Sequence, residues 1–386
     1  MNIDSELIFT RYLYIKDEVK YALLVSILQQ KEEEAIFWGY ELYHSGYKHE
    51  FFTFMWKIYY DFFASLNPLV ESYFLKIYTE FINNPNTINN DIFVSILIQN
   101  VIIQPYNIDM FMLSTVCSLF VIECETIINI TEAKNILSTW IYAQDLRSIG
   151  QWILYENNNR IDTIDIYKLC LDIFEEMGLK LTKKRLLKEY IVLLTAKIDI
   201  HINIIVLSKI IYLFSKHANI IKGKNKNIYI MVDTAEIQQY NTIIGQHYTI
   251  LKKACIYGID DLKHLSLFKL QRNKYDISQK YWYHWEYHAS FSPLWFTRIT
   301  EFGGKVDYIA KKVIFQEEPN DDELQSFYNT FGYEPDEQLT NVQEKSIMPI
   351  EKKYDWKWFY NTYKKNGLFE VYEEELDELN VDGIEY

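Results

Sequence analysis

The chain has 386 residues, 49% of them hydrophobic and 17% aromatic, and a formal net charge of −14. That length admits one large body or two to three domains, and so apolar a composition excludes disorder for most of it. Only seven prolines and twelve glycines occur, and no proline lies between Pro105 and Pro293, an interval that an almost wholly helical region tolerates best.

The four cysteines (Cys117, Cys124, Cys170, Cys255) form no C-x-x-C pair, which points to buried thiols in a reducing compartment and away from structural zinc. The acidic N-terminus does not read as a secretory signal, and no run of eighteen apolar residues occurs. The expectation is a soluble cytoplasmic protein with no membrane partner.

Charge is distributed in three blocks. Residues 1–178 carry 24 acidic and 11 basic side chains, residues 179–312 carry 10 and 22, and residues 313–386 carry 19 and 6. The balance is therefore −13, +12 and −13, and a basic middle of this kind attracts polyanions, acidic proteins or the chain's own tail.

Apolar periodicity predicts helices over 16–30, 31–45, 49–66 and 69–83, separated by Gly46, Asn67-Pro68 and Asn83-Asn84-Pro85. Further helices are expected over 92–104, 110–124, 131–157, 163–177, 181–196 and 201–217. The basic stretch 221–227 (IKGKNKN) reads as a linker, after which helices resume over 228–242, 246–257 and 262–290. Short β-like runs occur only at 228–232 and 312–315. Helices over 323–331 and 354–365 follow, then a tail in which Tyr372, Leu376 and Leu379 punctuate acidic residues.

These elements predict an all-α fold of packed antiparallel helical hairpins, either a HEAT-like solenoid or an irregular bundle, with an acidic C-terminal extension. The expected divisions are 1–220 (N-terminal helical-hairpin domain), 228–315 (second helical domain) and 316–386 (extension with short helices).

The densest feature is 281–296, YWYHWEYHASFSPLWF, half of it aromatic. Such a block either holds a core together or offers a stacking surface. Within it, His284 and His288 share a helix face at i and i+4, as zinc-protease ligands do. The Glu is misplaced for that chemistry, so core histidines are the better reading, with an enzyme assembled around them kept as an alternative. Asp260-Asp261 and Asp321-Asp322 are explained by helix capping. No nucleotide-binding or nucleophile motif occurs, and no cofactor or metal is implied.

The basic segment offers a candidate nucleic-acid or acidic-partner surface: Lys183, Lys184, Arg185, Lys188, Lys222, Lys224, Lys226, Lys252, Lys253, Arg272 and Lys280, with Trp282 and Trp285 as stacking platforms. Tyr372, Leu376 and Leu379 are candidates for a tail helix that docks on the body or on a protein partner.

Two stretches carry a resemblance. One is AIFWGYELYHSG at 35–46, continued by Tyr59-Tyr60-Asp61-Phe62 and Asn67-Pro68. The other is WEYHASFSPLW at 285–295, followed by Arg298, Gly303 and Glu334-Pro335-Asp336-Glu337-Gln338. Together they resemble an uncharacterised protein family encoded by nucleocytoplasmic large DNA viruses of the giant-virus kind. The resemblance implies a virus that replicates in the cytoplasm and assigns no activity to particular residues. The expected role is a non-enzymatic scaffold or adaptor in viral gene expression, of translation-initiation or transcription type, that binds protein partners and in one form RNA. A virion or minor capsid component is the structural alternative.

Overall fold

The computed structural model describes residues 8–84, 90–120, 127, 129–157, 160–195, 198, 200–221, 230, 232, 237–238, 240, 285–315, 322–331 and 354–382. Among them are sixteen α-helices and one two-stranded sheet, so the all-α expectation holds. No described helix is long and apolar enough to cross a membrane.

Helices α1 (Lys16–Leu28), α2 (Glu32–His44) and α3 (Lys48–Ile58) are joined by turns of three residues, in which Gln30 and Gly46 adopt positive φ. Three glutamates open α2, favourable at the positive end of its dipole. Helix α2 packs on α1, α3 and α5 (Ile92–Ile102), so it is buried on several sides. The aromatic helix α3 runs into a π-helical turn, Tyr59–Phe63, whose five side chains are all buried. Trp56 stacks on Tyr60 at 5.7 Å, and Tyr59 stacks on Phe74 of α4 (Val70–Asn83) at 5.2 Å. With Phe51, Phe52, Phe54, Met55, Trp56 and Ile58 all buried, helix α3 turns its aromatic side to the core.

Helix α6 (Asp109–Leu119) ends five residues short of its expected limit. The single helix expected over 131–157 is in fact three pieces: α7 (Ile130–Ala143), α8 (Leu146–Gln151) and a π-helical turn, Trp152–Glu156. The break has a local cause. Gln144 turns left-handed at φ 57°, and the Asp145 carboxylate accepts hydrogen bonds from both the amide and hydroxyl of Ser148, starting a new helix. Helices α9 (Thr163–Glu176), α10 (Lys183–Thr195) and α11 (Ile202–His217) follow, with α9 packed on both α7 and α11.

Next come α12 (Trp285–Ala289) and α13 (Pro293–Glu301), the latter capped by Ser292 with Pro293 in its first turn. The hairpin β1 (Lys305–Asp307) and β2 (Lys312–Ile314) pairs Lys305 with Ile314, Val306 with Val313 and Asp307 with Lys312. The chain ends in α14 (Asp322–Phe331), α15 (Trp356–Tyr363) and α16 (Glu373–Asp382). The β-like run at 228–232 lies largely outside the described residues, as do the helices expected over 246–257 and most of 262–290.

The described residues of the three expected segments share one core. A single hydrophobic cluster runs from Phe9 to Leu379 and includes Trp285, Trp295, Trp356 and Leu376. Trp295 Nε1 donates to the Thr10 carbonyl at 2.9 Å, and Leu294 N donates to the Ser45 carbonyl at 3.2 Å. From the C-terminal side, Leu368 N and Phe369 N donate to the Asp109 carboxylate at 2.9 and 3.2 Å. Contacts of such sequence separation exceed the neighbour-to-neighbour pattern of a solenoid and make this an irregular bundle. Among the described residues the charge blocks do not divide the interior.

Candidate functional site

Helices α4 and α10 flank a surface cavity of about 360 Å³. Pro68, Leu69 and Leu75 form one wall, Val192 and Leu193 the other, and Arg185, Lys188 and Glu189 stand at the rim. Helix α10 is held in place by its opposite face. Tyr190 is fully buried, with its hydroxyl 3.2 Å from Thr163 Oγ1 and its ring against Tyr167.

The floor of the cavity is polar. Glu71 and Lys209 form a buried ion pair at 2.7 Å, and Tyr60 Oη donates to the second Glu71 oxygen at 3.0 Å. Burial pushes the Tyr60 hydroxyl well above the ordinary tyrosine range, so it stays a donor. Both carboxylate oxygens and the ammonium are engaged, which makes this set a structural floor with no general base to spare. A mostly apolar cavity with a satisfied polar floor can receive one or two apolar side chains of a ligand.

Of the basic residues expected to form a binding surface, four lie on α10 and they divide into two pairs. Lys183 is tied to Asp172 and Glu175 of α9 at 2.6 and 2.5 Å, and Arg185 to Glu189 at 2.7 Å. Lys184 and Lys188 are exposed and make no ion pair among the described residues. At i and i+4 they share one helix face, and the exposed Ile191 (48%) and Val192 (43%) continue it by one turn. The face therefore runs from basic to aliphatic along α10, beside the cavity. Lys222, Lys224, Lys226, Lys252, Lys253, Arg272, Lys280 and Trp282 lie outside the described residues, as does His284.

Trp285 corrects the stacking expectation. It is 2% exposed, edge-to-face with Trp295 at 5.3 Å and stacked on Phe327 at 6.2 Å, so neither ring face is open to a base. Its neighbour Trp295, which donates to the Thr10 carbonyl, borders a second buried polar set. Glu41 accepts from Arg11 Nε at 2.8 Å, Thr10 Oγ1 at 2.6 Å and Tyr12 N at 2.9 Å. Arg298 lies over the rings of Trp295 and Phe331, and burial lowers its pKa to about 10. His288 is buried with its ring edge-on to Phe9 at 6.1 Å, a core histidine. Among the described residues no three His, Cys, Asp or Glu side chains converge as metal ligands would.

Of the two alternatives for the tail residues, docking on the body is the one the structure shows for Leu376 and Leu379. Leu376 (4% exposed) and Leu379 (0%) pack into the chain's own core, where α16 lies against α15 and α6. Tyr372 remains 56% exposed, with the Arg147 guanidinium 4.1 Å from its ring centroid. These leucines serve the fold, because the acidic helix is docked on the body.

Sequence reasoning did not find the cavity floor. The signal was present in one half only: Lys209 is the one charge within the apolar run 202–215 of α11, but its partner is 138 residues away.

Fold and site together define an all-α helical-bundle protein with a mixed basic and aliphatic face. In comparisons with family models, curated proteins and solved structures, no match to the chain was found.

Proposed function

We propose that the protein is a non-catalytic helical adaptor whose α4–α10 face receives an acidic, amphipathic segment of a partner protein. The observation that supports this is the alignment of the exposed Lys184 and Lys188, which make no ion pair among the described residues, with the exposed Ile191 and Val192 beside the cavity. An apolar anchor of the partner would enter the cavity while its carboxylates meet the two lysines, the helix-in-groove mode of recognition. A protein partner is favoured over RNA at this face, because Lys183 and Arg185 are already bound to carboxylates and Trp285 is buried. The resemblance to giant-virus proteins sets the wider role proposed here, a scaffold for translation-initiation or transcription factors in viral gene expression.

The test is affinity capture with the tagged full chain, the double variant Lys184→Glu/Lys188→Glu and the single variant Val192→Asp, each with and without RNase. Recovery of initiation or transcription factors by the parent, resistant to RNase and reduced at least tenfold in both variants, is the expected result. Equal recovery by all three proteins would remove this face from the reading, and loss on RNase treatment would return RNA to it.

A further inference from the structure

The most exposed large hydrophobic side chain among the described residues is Ile309, at 97%, on the tip of the β1–β2 hairpin. A single exposed aliphatic residue is ordinary on a protein surface. What sets this one apart is how rigidly it is presented and what surrounds it. Asp307 Oδ1 accepts from the amides of Ile309 and Ala310, both at 2.9 Å, and Lys311 closes the turn at φ 52°. At the root of the hairpin, Phe315 is buried against Phe327 at 5.1 Å, which fixes the finger to the aromatic core. Tyr308, 60% exposed, leans back toward Phe291 with ring centroids 6.3 Å apart. Lys305, Lys311 and Lys312 are exposed and make no ion pair among the described residues. The one acidic residue within the hairpin, Asp307, turns its carboxylate to the backbone of the tip.

We infer that this hairpin is a membrane-surface finger that inserts Ile309 into an anionic lipid interface. Three features choose lipid as the occupant. The turn sets the exposed aliphatic Ile309 at its tip, flanked by the exposed Tyr308 and Lys311, so that apolar, aromatic and cationic groups meet at one point as they do at a lipid interface. The apex is convex, so it needs a surface that deforms around it. The lysines supply complementarity to anionic headgroups even though the chain as a whole carries −14. Because the net charge opposes the association, any binding to anionic vesicles must come from a local patch.

The experiment is co-sedimentation of the full chain with vesicles of phosphatidylcholine alone or mixed with phosphatidylserine, at low and high salt. The expected result is binding to the mixed vesicles only, weakened by salt. Lys311→Glu/Lys312→Glu should lower the partition coefficient by about 25-fold or more, at about fivefold per lysine lost. Ile309→Asp should lower it about tenfold or more while leaving the melting temperature unchanged, because this side chain is 97% exposed. Absence of binding by the parent, or equal binding to both vesicle types, would overturn the proposal. So would a lysine effect without an Ile309 effect, since that pattern describes adsorption by charge without insertion.

Discussion

Arg147 on α8 grips Glu375 in the first turn of α16 through two nitrogens, Nε to Oε1 at 3.2 Å and Nη2 to Oε2 at 2.5 Å, across 228 residues of sequence. The same guanidinium donates to the Glu370 carbonyl at 2.8 Å and lies over the rings of Phe369 and Tyr372. One arginine thus reads backbone, carboxylate and aromatic faces of the returning tail, the geometry for which arginine is not replaceable by lysine.

Removing that grip is expected to loosen the tail before it affects the body. Arg147→Ala and Glu375→Ala should each cost about 1–3 kcal/mol, with a coupling above about 1 kcal/mol in the double-mutant cycle. Hydrogen exchange should quicken over 368–382 and not over α1–α3. Additive costs, or uniform quickening across the chain, would contradict the described docking.

Asp61 makes a pH prediction. It is 5% exposed in the first π-helical turn, and burial pushes its carboxyl up from 3.8 to about 6. The native state therefore favours the protonated form. Stability from this group is greatest below 3.8 and is lost as the pH rises through about 6, by about 3 kcal/mol in all. Asp109 is also raised to about 6 by burial, against the two amides that lower it, and acts with the same sign. Urea unfolding across that window should show stability falling with pH, and Asp61→Asn should flatten the fall. An unchanged slope in the variant would refute the assignment.

The Glu71–Lys209 pair under the cavity should be costly to break and inexpensive to replace. Lys209→Met leaves a buried carboxylate without its cation and should cost about 3–5 kcal/mol. The double change Lys209→Met/Glu71→Leu should recover most of that, because both desolvated charges are gone. A loss below about 1 kcal/mol in the single variant, read from the urea midpoint, would mean that the pair is not buried.

Two glycines with positive φ separate backbone strain from crowding. At Gly46 (φ 97°) a Cβ would lie 2.6 Å from Pro293 Cβ, where α13 sits on the end of α2, whereas at Gly178 (φ 89°) it would meet nothing within 4 Å. Gly178→Ala should therefore cost about 1 kcal/mol and Gly46→Ala about 2–3 kcal/mol or more. Equal melting-point losses would place α13 elsewhere.

Much of the helical layout was legible because it depends on local signals. Apolar spacing, Gly46, Asn67-Pro68 and the glutamates of α2 act within a few residues of themselves, and the corresponding helices lie where they were expected. The expected helix over 131–157 was misjudged because its apolar periodicity continues across the Gln144–Asp145 break. At the candidate face, Lys184 and Lys188 could be named from sequence as basic residues. Their separation from Lys183 and Arg185 could not, since it depends on where α9 places Asp172 and Glu175.

By itself, the sequence determined the helical class, the positions of most turns and the aromatic wealth of the core, all consequences of short-range sterics and composition. Only the tertiary structure decided that Trp285 is buried rather than a stacking platform, and that Leu376 and Leu379 belong to the body. It also decided that Glu71 meets Lys209 beneath a cavity and that Ile309 stands alone at the tip of a hairpin. The physical reason is that burial and ion pairing depend on distances between residues far apart in the chain, and these are set by the packing of the whole bundle.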